Sequence, residues 1–225
     1  MQDFLATFAN LESLARIYPL LLQGLQVTLL LSLVTIPLAI ALGLMIAVLY
    51  SFHLRFLNPL LIVYVDAFRS FPVLVLLVLI FYGLPFLGIN LAAFPAAVLG
   101  IALNNSGYYG EIFRAGIETV PRGQREAARS TGLTAWQTAF SVVLPQAVHN
   151  VLAPLAGNTL ELIKTTSIAT VVALPELLRS ARVAQESTYN PTPLTAAALI
   201  YFVLLWPLTR LVARLERKMV ASHSH

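Results

Sequence analysis

The sequence contains no cysteine, which excludes a disulfide framework and any thiolate metal site. Charge is also scarce: Asp, Glu, Lys and Arg make up 11% of 225 residues, against 58% apolar side chains. With a mean hydropathy of +0.81, that balance excludes an ordinary soluble domain and a disordered chain, leaving a polytopic membrane protein. The pI of 9.6 rests on a net charge of only +4, gathered on one side of the expected membrane, so no nucleic-acid partner is expected. The first residues carry Asp3 and Glu12 rather than a basic leader before an apolar run, and no cleaved signal peptide is expected. A Gly-rich phosphate loop followed by Lys is absent, so the chain is expected to bind no nucleotide and to be no enzyme by itself.

What is present is apolar length. A helix needs roughly 20 apolar residues to cross a bilayer. Five stretches meet this: residues 20–49, 57–81, 91–113, 146–171 and 194–212. They predict an all-α membrane protein of five transmembrane helices in a single domain over residues 1–225. Pro37 is tolerated inside the first. The second holds Asp66, Arg69 and Pro72, and the third holds Asn104, Asn105 and Ser106, side chains expected to hydrogen-bond between helices. If the spans alternate, Arg55, Arg114, Arg122, Arg125, Arg129, Arg210, Arg214, Arg217 and Lys218 lie on one side and Arg16, Arg179 and Arg182 on the other. The basic side is cytoplasmic, which places the N terminus outside and the C terminus inside.

Residues 118–145 then form a charged cytoplasmic segment. Pro121 suits a first helical position, Arg122 to Thr131 favour helix, and Gly132 stands where a left-handed cap is wanted. Thr134 and Gln137 have capping-box spacing, so a second short helix starts at once. Leu133, Trp136, Phe140 and Val143 recur at helical intervals as one apolar stripe, and Pro145 marks the return to the membrane. A helical projection of this kind suits docking into a groove on a soluble partner.

The run Glu126-Ala127-Ala128, three residues, Gly132, nine residues, Val142, one residue, Leu144-Pro145 resembles the signature of permease subunits of ATP-binding-cassette importers. Further runs resemble the polar amino acid uptake branch, the histidine, glutamine and arginine permeases. They are Phe81-Tyr82-Gly83-Leu84-Pro85, residues 109–117, residues 120–124, residues 143–147, Lys164-Thr165-Thr166-Ser167 and Pro175-Glu176-Leu177. The resemblance implies a type I importer permease fold in the bacterial inner membrane. It implies a second permease subunit, the same or a related chain, two cytoplasmic ATPase subunits that hold ATP and magnesium, and an external solute-binding protein. In that family the Glu126 segment is the coupling helix seated in the ATPase, so Glu126, Ala127, Ala128, Gly132, Leu144 and Pro145 are the expected coupling residues. This chain itself is expected to hold no cofactor and no metal. His223 and His225 read as a solvated tail, and His149 as an interfacial residue.

Charges within a span must face protein or water rather than lipid, so Asp66, Arg69, Glu161 and Lys164 are candidates for the solute path. A polar amino acid needs a donor for its carboxylate and an acceptor for its ammonium. Arg69 offers a planar fork for the former, unless it and Asp66 neutralise each other one turn apart. Asn158, Glu161 and Thr165 share a helical face, and Glu161 offers an acceptor unless Lys164 claims it. The family run Arg-Gly-Thr-Pro is here Arg69-Ser70-Phe71-Pro72, and the acid that often follows the Lys is here Thr165. Other cargo, such as an opine or organic acid, and an ATP-independent secondary transporter are the competing readings.

Overall fold

The computed structural model describes residues 7–52 and 54–222, with the side chains of residues 218–222 left aside. Asp3, the Lys218 side chain, His223 and His225 lie outside the described residues. Helix α1 runs Leu11–Ser51, starting well before residue 20 and passing through Pro37 unbroken.

The stretch expected as the second span is interrupted. Helix α2 (Leu57–Ser70) stops because Phe71 precedes Pro72, whose ring disfavours the helical conformation there; Phe71 sits at φ −83°, ψ 125°. Asn104 Nδ2 donates to the carbonyls of Phe68 at 2.7 Å and Phe71 at 3.1 Å, so the broken end is satisfied from a neighbouring helix. The chain resumes as α3 (Val73–Val78), then a π turn (Leu79–Gly83) and a 3-10 turn (Leu84–Leu87). Helix α4 spans Ala93–Thr119, where the third span was expected. Tyr64 and Ser106 join α2 to α4 through their hydroxyls at 2.7 Å.

Next come α5 (Arg122–Ser130), α6 (Ala135–Thr138), a π turn (Ala139–Val143) and α7 (Leu144–Asn150). The expected fourth span is divided at Val151, which leaves the helical region at φ −111°, ψ 9° before α8 (Leu152–Thr165). Pro154 causes the break, since it has no N–H for the Asn150 carbonyl. A 3-10 turn (Thr166–Val172), α9 (Leu177–Thr188) and α10 (Thr192–Ser222) complete the chain; no strand occurs among the described residues.

By composition, Leu11–Ser51 and Thr192–Arg217 are long and apolar enough to cross a membrane. So are Leu57–Ser70 with Val73–Leu87, and Ala135–Asn150 with Leu152–Val172, when each interrupted pair is taken together. Helix α4 has the length, but Asn104, Asn105 and Ser106 lower its hydropathy.

Contacts divide the chain into two compact units. The first comprises Met1–Thr35, Val73–Ile101 and Leu160–Arg210, the second Ile36–Pro72, Ala102–Thr159 and Leu211–His225. In the first, Ile17 and Leu21 of α1, Leu177, Ala181 and Ala184 of α9 and Ala197 of α10 form a core. Leu177, Ser180, Ala181 and Ala184 recur at helical spacing, so α9 presents one small, apolar face to that core. Fully buried Glu176 caps α9: its carboxylate accepts the N–H groups of Leu178 at 2.8 Å and Arg179 at 2.7 Å and the Tyr201 hydroxyl at 3.2 Å. Burial pushes the Glu176 carboxyl above the usual carboxylate range, while those same donors pull it back. Thr28 adds an acceptor for the Leu177 N–H at 3.1 Å, tying α9 to α1.

Candidate functional site

The charged segment lies within the second unit. Pro121 is the N-cap of α5 rather than its first helical residue: its φ of −56° fits either position, but ψ 139° keeps the chain extended until Arg122. At the other end Gly132 adopts φ 88°, the left-handed conformation that L side chains avoid. Leu133 N–H donates to Ala128 O at 3.3 Å and Gly132 N–H to Arg129 O at 3.1 Å, the paired bonds of a Schellman motif. The capping box follows directly, with Gln137 N–H to Thr134 Oγ1 at 3.2 Å and Thr134 N–H to Gln137 Oε1 at 2.8 Å.

The second short helix does not end as a separate piece. It widens through the π turn, where Leu144 N–H reaches Ala139 O, and continues into α7. Pro145 has no N–H to give a regular α turn, and the wider turn accommodates it. The apolar stripe is split. Val143 is buried, whereas Trp136 and Phe140 are exposed, with ring centroids 4.4 Å apart, and Trp136 stacks on Phe52 of the α1 end at 5.6 Å.

These turns decide which coupling candidates face outward. Glu126, Ala127, Gly132 and Pro145 are exposed. Ala128 and Leu144 are 7% and 8% exposed and pack within the chain itself.

The solute-path candidates fall into two groups, Arg69 and Asn158 in the second unit and Glu161 and Thr165 in the first. Arg69 pairs with Glu111 of α4 at 3.9 Å, and among the described residues it makes no ion pair with Asp66. Its guanidinium also lies 5.7 Å from the Tyr108 ring centroid. Glu111 grips Arg114 through both oxygens, at 2.5 and 3.0 Å, and Arg114 reaches Glu118 at 2.6 Å. Charges of alternating sign therefore run from Arg69 along α4. A cavity of ≈ 300 Å³ opens beside them, lined by Tyr50, Asp66, Arg69, Glu111 and Arg114 among others.

Sequence reasoning missed Glu111. Its only local signal was the Glu111 to Arg114 spacing, one helical turn.

In the first unit, Glu161 pairs with Lys164 at 2.6 Å, and the Thr165 hydroxyl donates to the Glu161 carbonyl at 2.8 Å. The acceptor offered to a cationic group is thus shared with a neighbouring Lys on an exposed face. The Asn158 amide is directed to the buried Tyr109 hydroxyl. His149 is exposed in the last turn of α7. Among the described residues no group of three or more His, Cys, Asp or Glu is placed to hold a metal ion.

Among the described residues, helices throughout, apolar helices of bilayer length, a capped charged projection and a cavity lined by ion-paired side chains define a membrane protein. Residues 39–221 match the family of binding-protein-dependent transport system inner membrane components. Among similar proteins, the probable amino-acid ABC transporter permease protein YckA of Bacillus subtilis (strain 168) is 35% identical over 92% of this chain and 91% of its own. The arginine transport system permease protein ArtQ of the same organism is 33% identical over 96% and 97%. Among solved structures, that of an amino acid ABC transporter with histidines superposes with a TM-score of 0.82 at 35% identity, covering 92% of this chain and 97% of that one. The inward-facing MetNI methionine transporter, at TM-score 0.73 and 20% identity over 91% and 98%, shares the fold. The chain belongs to the binding-protein-dependent transport family and is a permease component of an ATP-binding-cassette importer.

Proposed function

We propose that this permease crosses the inner membrane five times, N terminus outside and C terminus in the cytoplasm. Together with a second permease subunit it forms the path for a polar amino acid delivered by an external solute-binding protein. The segment from Glu126 to Pro145 seats in a cytoplasmic ATPase subunit that binds ATP and magnesium. Closure of the ATPases moves that segment and switches the helices between inward-facing and outward-facing states. The observation that carries this reading is the exposed face of Glu126, Ala127, Gly132 and Pro145 on a rigidly capped projection. The amino-acid and arginine systems among the relatives' names support the cargo class.

Gly132→Val tests the docking. No atom lies near enough to obstruct a side chain there, so only the backbone conformation is at issue. A β-branched residue held at φ 88° costs about 1–2 kcal/mol. The expected result is a permease that accumulates normally but retains several-fold less ATPase on copurification and shows weakened solute-stimulated hydrolysis. Full coupling in Gly132→Val would remove the segment from the ATPase interface.

On the path, Arg69 meets the carboxylate of the solute by exchanging Glu111 for it, and Asp66 on the same cavity receives the ammonium. Asn158, Glu161 and Thr165 extend the path, with Lys164 holding Glu161 until a cationic group displaces it. Glu161→Gln removes the negative charge from that acceptor and frees Lys164. Uptake of arginine in proteoliposomes is expected to fall about tenfold, the worth of one charge-assisted hydrogen bond, while glutamine uptake changes less. Equal uptake of both by the variant and the parent would take Glu161 out of the path.

A further inference from the structure

A second cavity of ≈ 330 Å³ adjoins the first within the same unit, where the ends of α1 and α4 meet the start of α5. Its polar lining is Tyr50 and Ser51 of α1, Arg114 and Glu118 of α4, and Arg122 and Arg125 of α5. Three arginines thus stand against one glutamate, and that glutamate is already matched by Arg114 at 2.6 Å. Arg122 and Arg125 have no ion-pair partner among the described residues. Arg125 Nη2 donates to the Ile117 carbonyl at 2.7 Å, yet its Nε is buried with no acceptor. A buried charged donor left without an acceptor costs about 1–3 kcal/mol or more, so negative charge brought close to Arg125 is favoured. The positive end of the α5 dipole begins at Arg122, adding to the same potential.

We propose that this cavity binds a phosphate group, and that in the membrane its ligand is the headgroup of an anionic phospholipid of the cytoplasmic leaflet. The guanidinium fork matches phosphate oxygens in pairs, and basic pockets at the cytoplasmic boundary of membrane helices suit such headgroups. Ala47, Ile117 and Val120 back the cavity with buried apolar side chains. The leaflet assignment rests on the topology proposed above; the phosphate chemistry does not.

The test uses the intact transporter in phosphatidylcholine nanodiscs doped with phosphatidylglycerol, with retained phosphatidylglycerol counted by native mass spectrometry. Arg122→Gln and Arg125→Gln are compared with Arg129→Gln, which removes an equal charge from α5 outside the cavity. Retention is expected to fall about tenfold in the two cavity variants and little in Arg129→Gln. In a second arm, inorganic phosphate is titrated and its phosphorus resonance followed. Broadening lost only in the cavity variants, with lipid retention unchanged, would uphold the phosphate site and overturn its lipid occupant.

Equal lipid loss in all three variants overturns the proposal, as does a cavity pair that keeps both its lipid and its phosphate broadening. So does loss of ATPase subunits from the cavity pair with lipid retained, which would make these arginines docking residues. Arg125 also anchors the Ile117 carbonyl, so if Arg125→Gln unfolds, the exposed Arg122 carries the test. Lipid retention is read on the permease itself: a permease that holds phosphatidylglycerol but never captures an ATPase removes the function proposed above and leaves this site standing.

Discussion

Ala128→Asp is expected to prevent the permease from accumulating, whereas Ala127→Asp, one residue away, is expected to leave it folded and strip it of its ATPase. Ala128 is 7% exposed on α5, the helix that packs against the Ala135–Val143 stretch. Its carbonyl accepts both the Leu133 N–H of the Schellman turn and the Thr131 hydroxyl at 2.8 Å. A carboxylate there loses its water, while Arg125 one turn earlier already holds the Ile117 carbonyl, so the cost is that of burying a charge, up to roughly 3–5 kcal/mol where it stays unpaired. That is a large fraction of the whole stability of a domain. Ala127 faces outward, and an Asp there is hydrated until a partner's groove closes over it. Its cost then falls on the complex alone. Fluorescence-detected gel filtration of detergent extracts reads the first effect, and ATPase copurification reads the second. Normal accumulation of Ala128→Asp would show that the helix turns its other face inward, and unchanged ATPase retention in Ala127→Asp would show that this face does not dock.

The pair also shows what kind of information the sequence carries. Gly132, Thr134 and Gln137 obey local rules of chain termination and capping, and the structure realises each of them because their causes lie within a few residues. Which of two adjacent alanines is buried depends on where the next helix packs, and no spacing rule supplies that. The same division holds for the ion pairs. Glu161 and Lys164 are neighbours on one helix and their pairing was legible as one of two outcomes. Arg69 instead chose Glu111, far along the chain, over Asp66 one turn away. The stretches 57–81 and 146–171 were expected as continuous spans; the ring of Pro72 and the missing N–H of Pro154 break them, and the donor that satisfies the broken α2 end, Asn104, becomes visible only once α4 lies beside it. Glu176 stands at the other extreme, a carboxylate in an apolar chain that is fully buried because two backbone N–H groups and a phenol converge on it.

Gly43→Val is expected to abolish a stable permease, for a reason that lies between helices. A Cβ at Gly43 would stand 2.5 Å from Tyr109 Cβ and 2.7 Å from Gly110 N, so α1 and α4 touch backbone to backbone there. Helices without a hydrophobic drive between them rely on such close contact, which small residues permit. Relief requires the two helices to separate. Separation carries Tyr109 with it, a fully buried ring whose hydroxyl holds Thr159 Oγ1 of α8 at 2.8 Å. The overlap therefore spreads from α1 through α4 to α8, and the expected cost exceeds the roughly 1–3 kcal/mol of ordinary overpacking. Gly110→Ala is the matched control. A Cβ there meets Ile46 Cγ2 at 3.4 Å and the Gly43 carbonyl at 3.6 Å, distances a side chain tolerates. Thermal stability in detergent should drop steeply for Gly43→Val and only slightly for Gly110→Ala. Comparable stability of both would mean that α1 and α4 do not meet at Gly43. Ile46 and Gly110, next to this contact, line the Arg69 cavity. A partially folded Gly43→Val recovered at low temperature should therefore lose solute-stimulated hydrolysis even where its ATPase remains bound, since the path is disturbed and the Glu126 face is not.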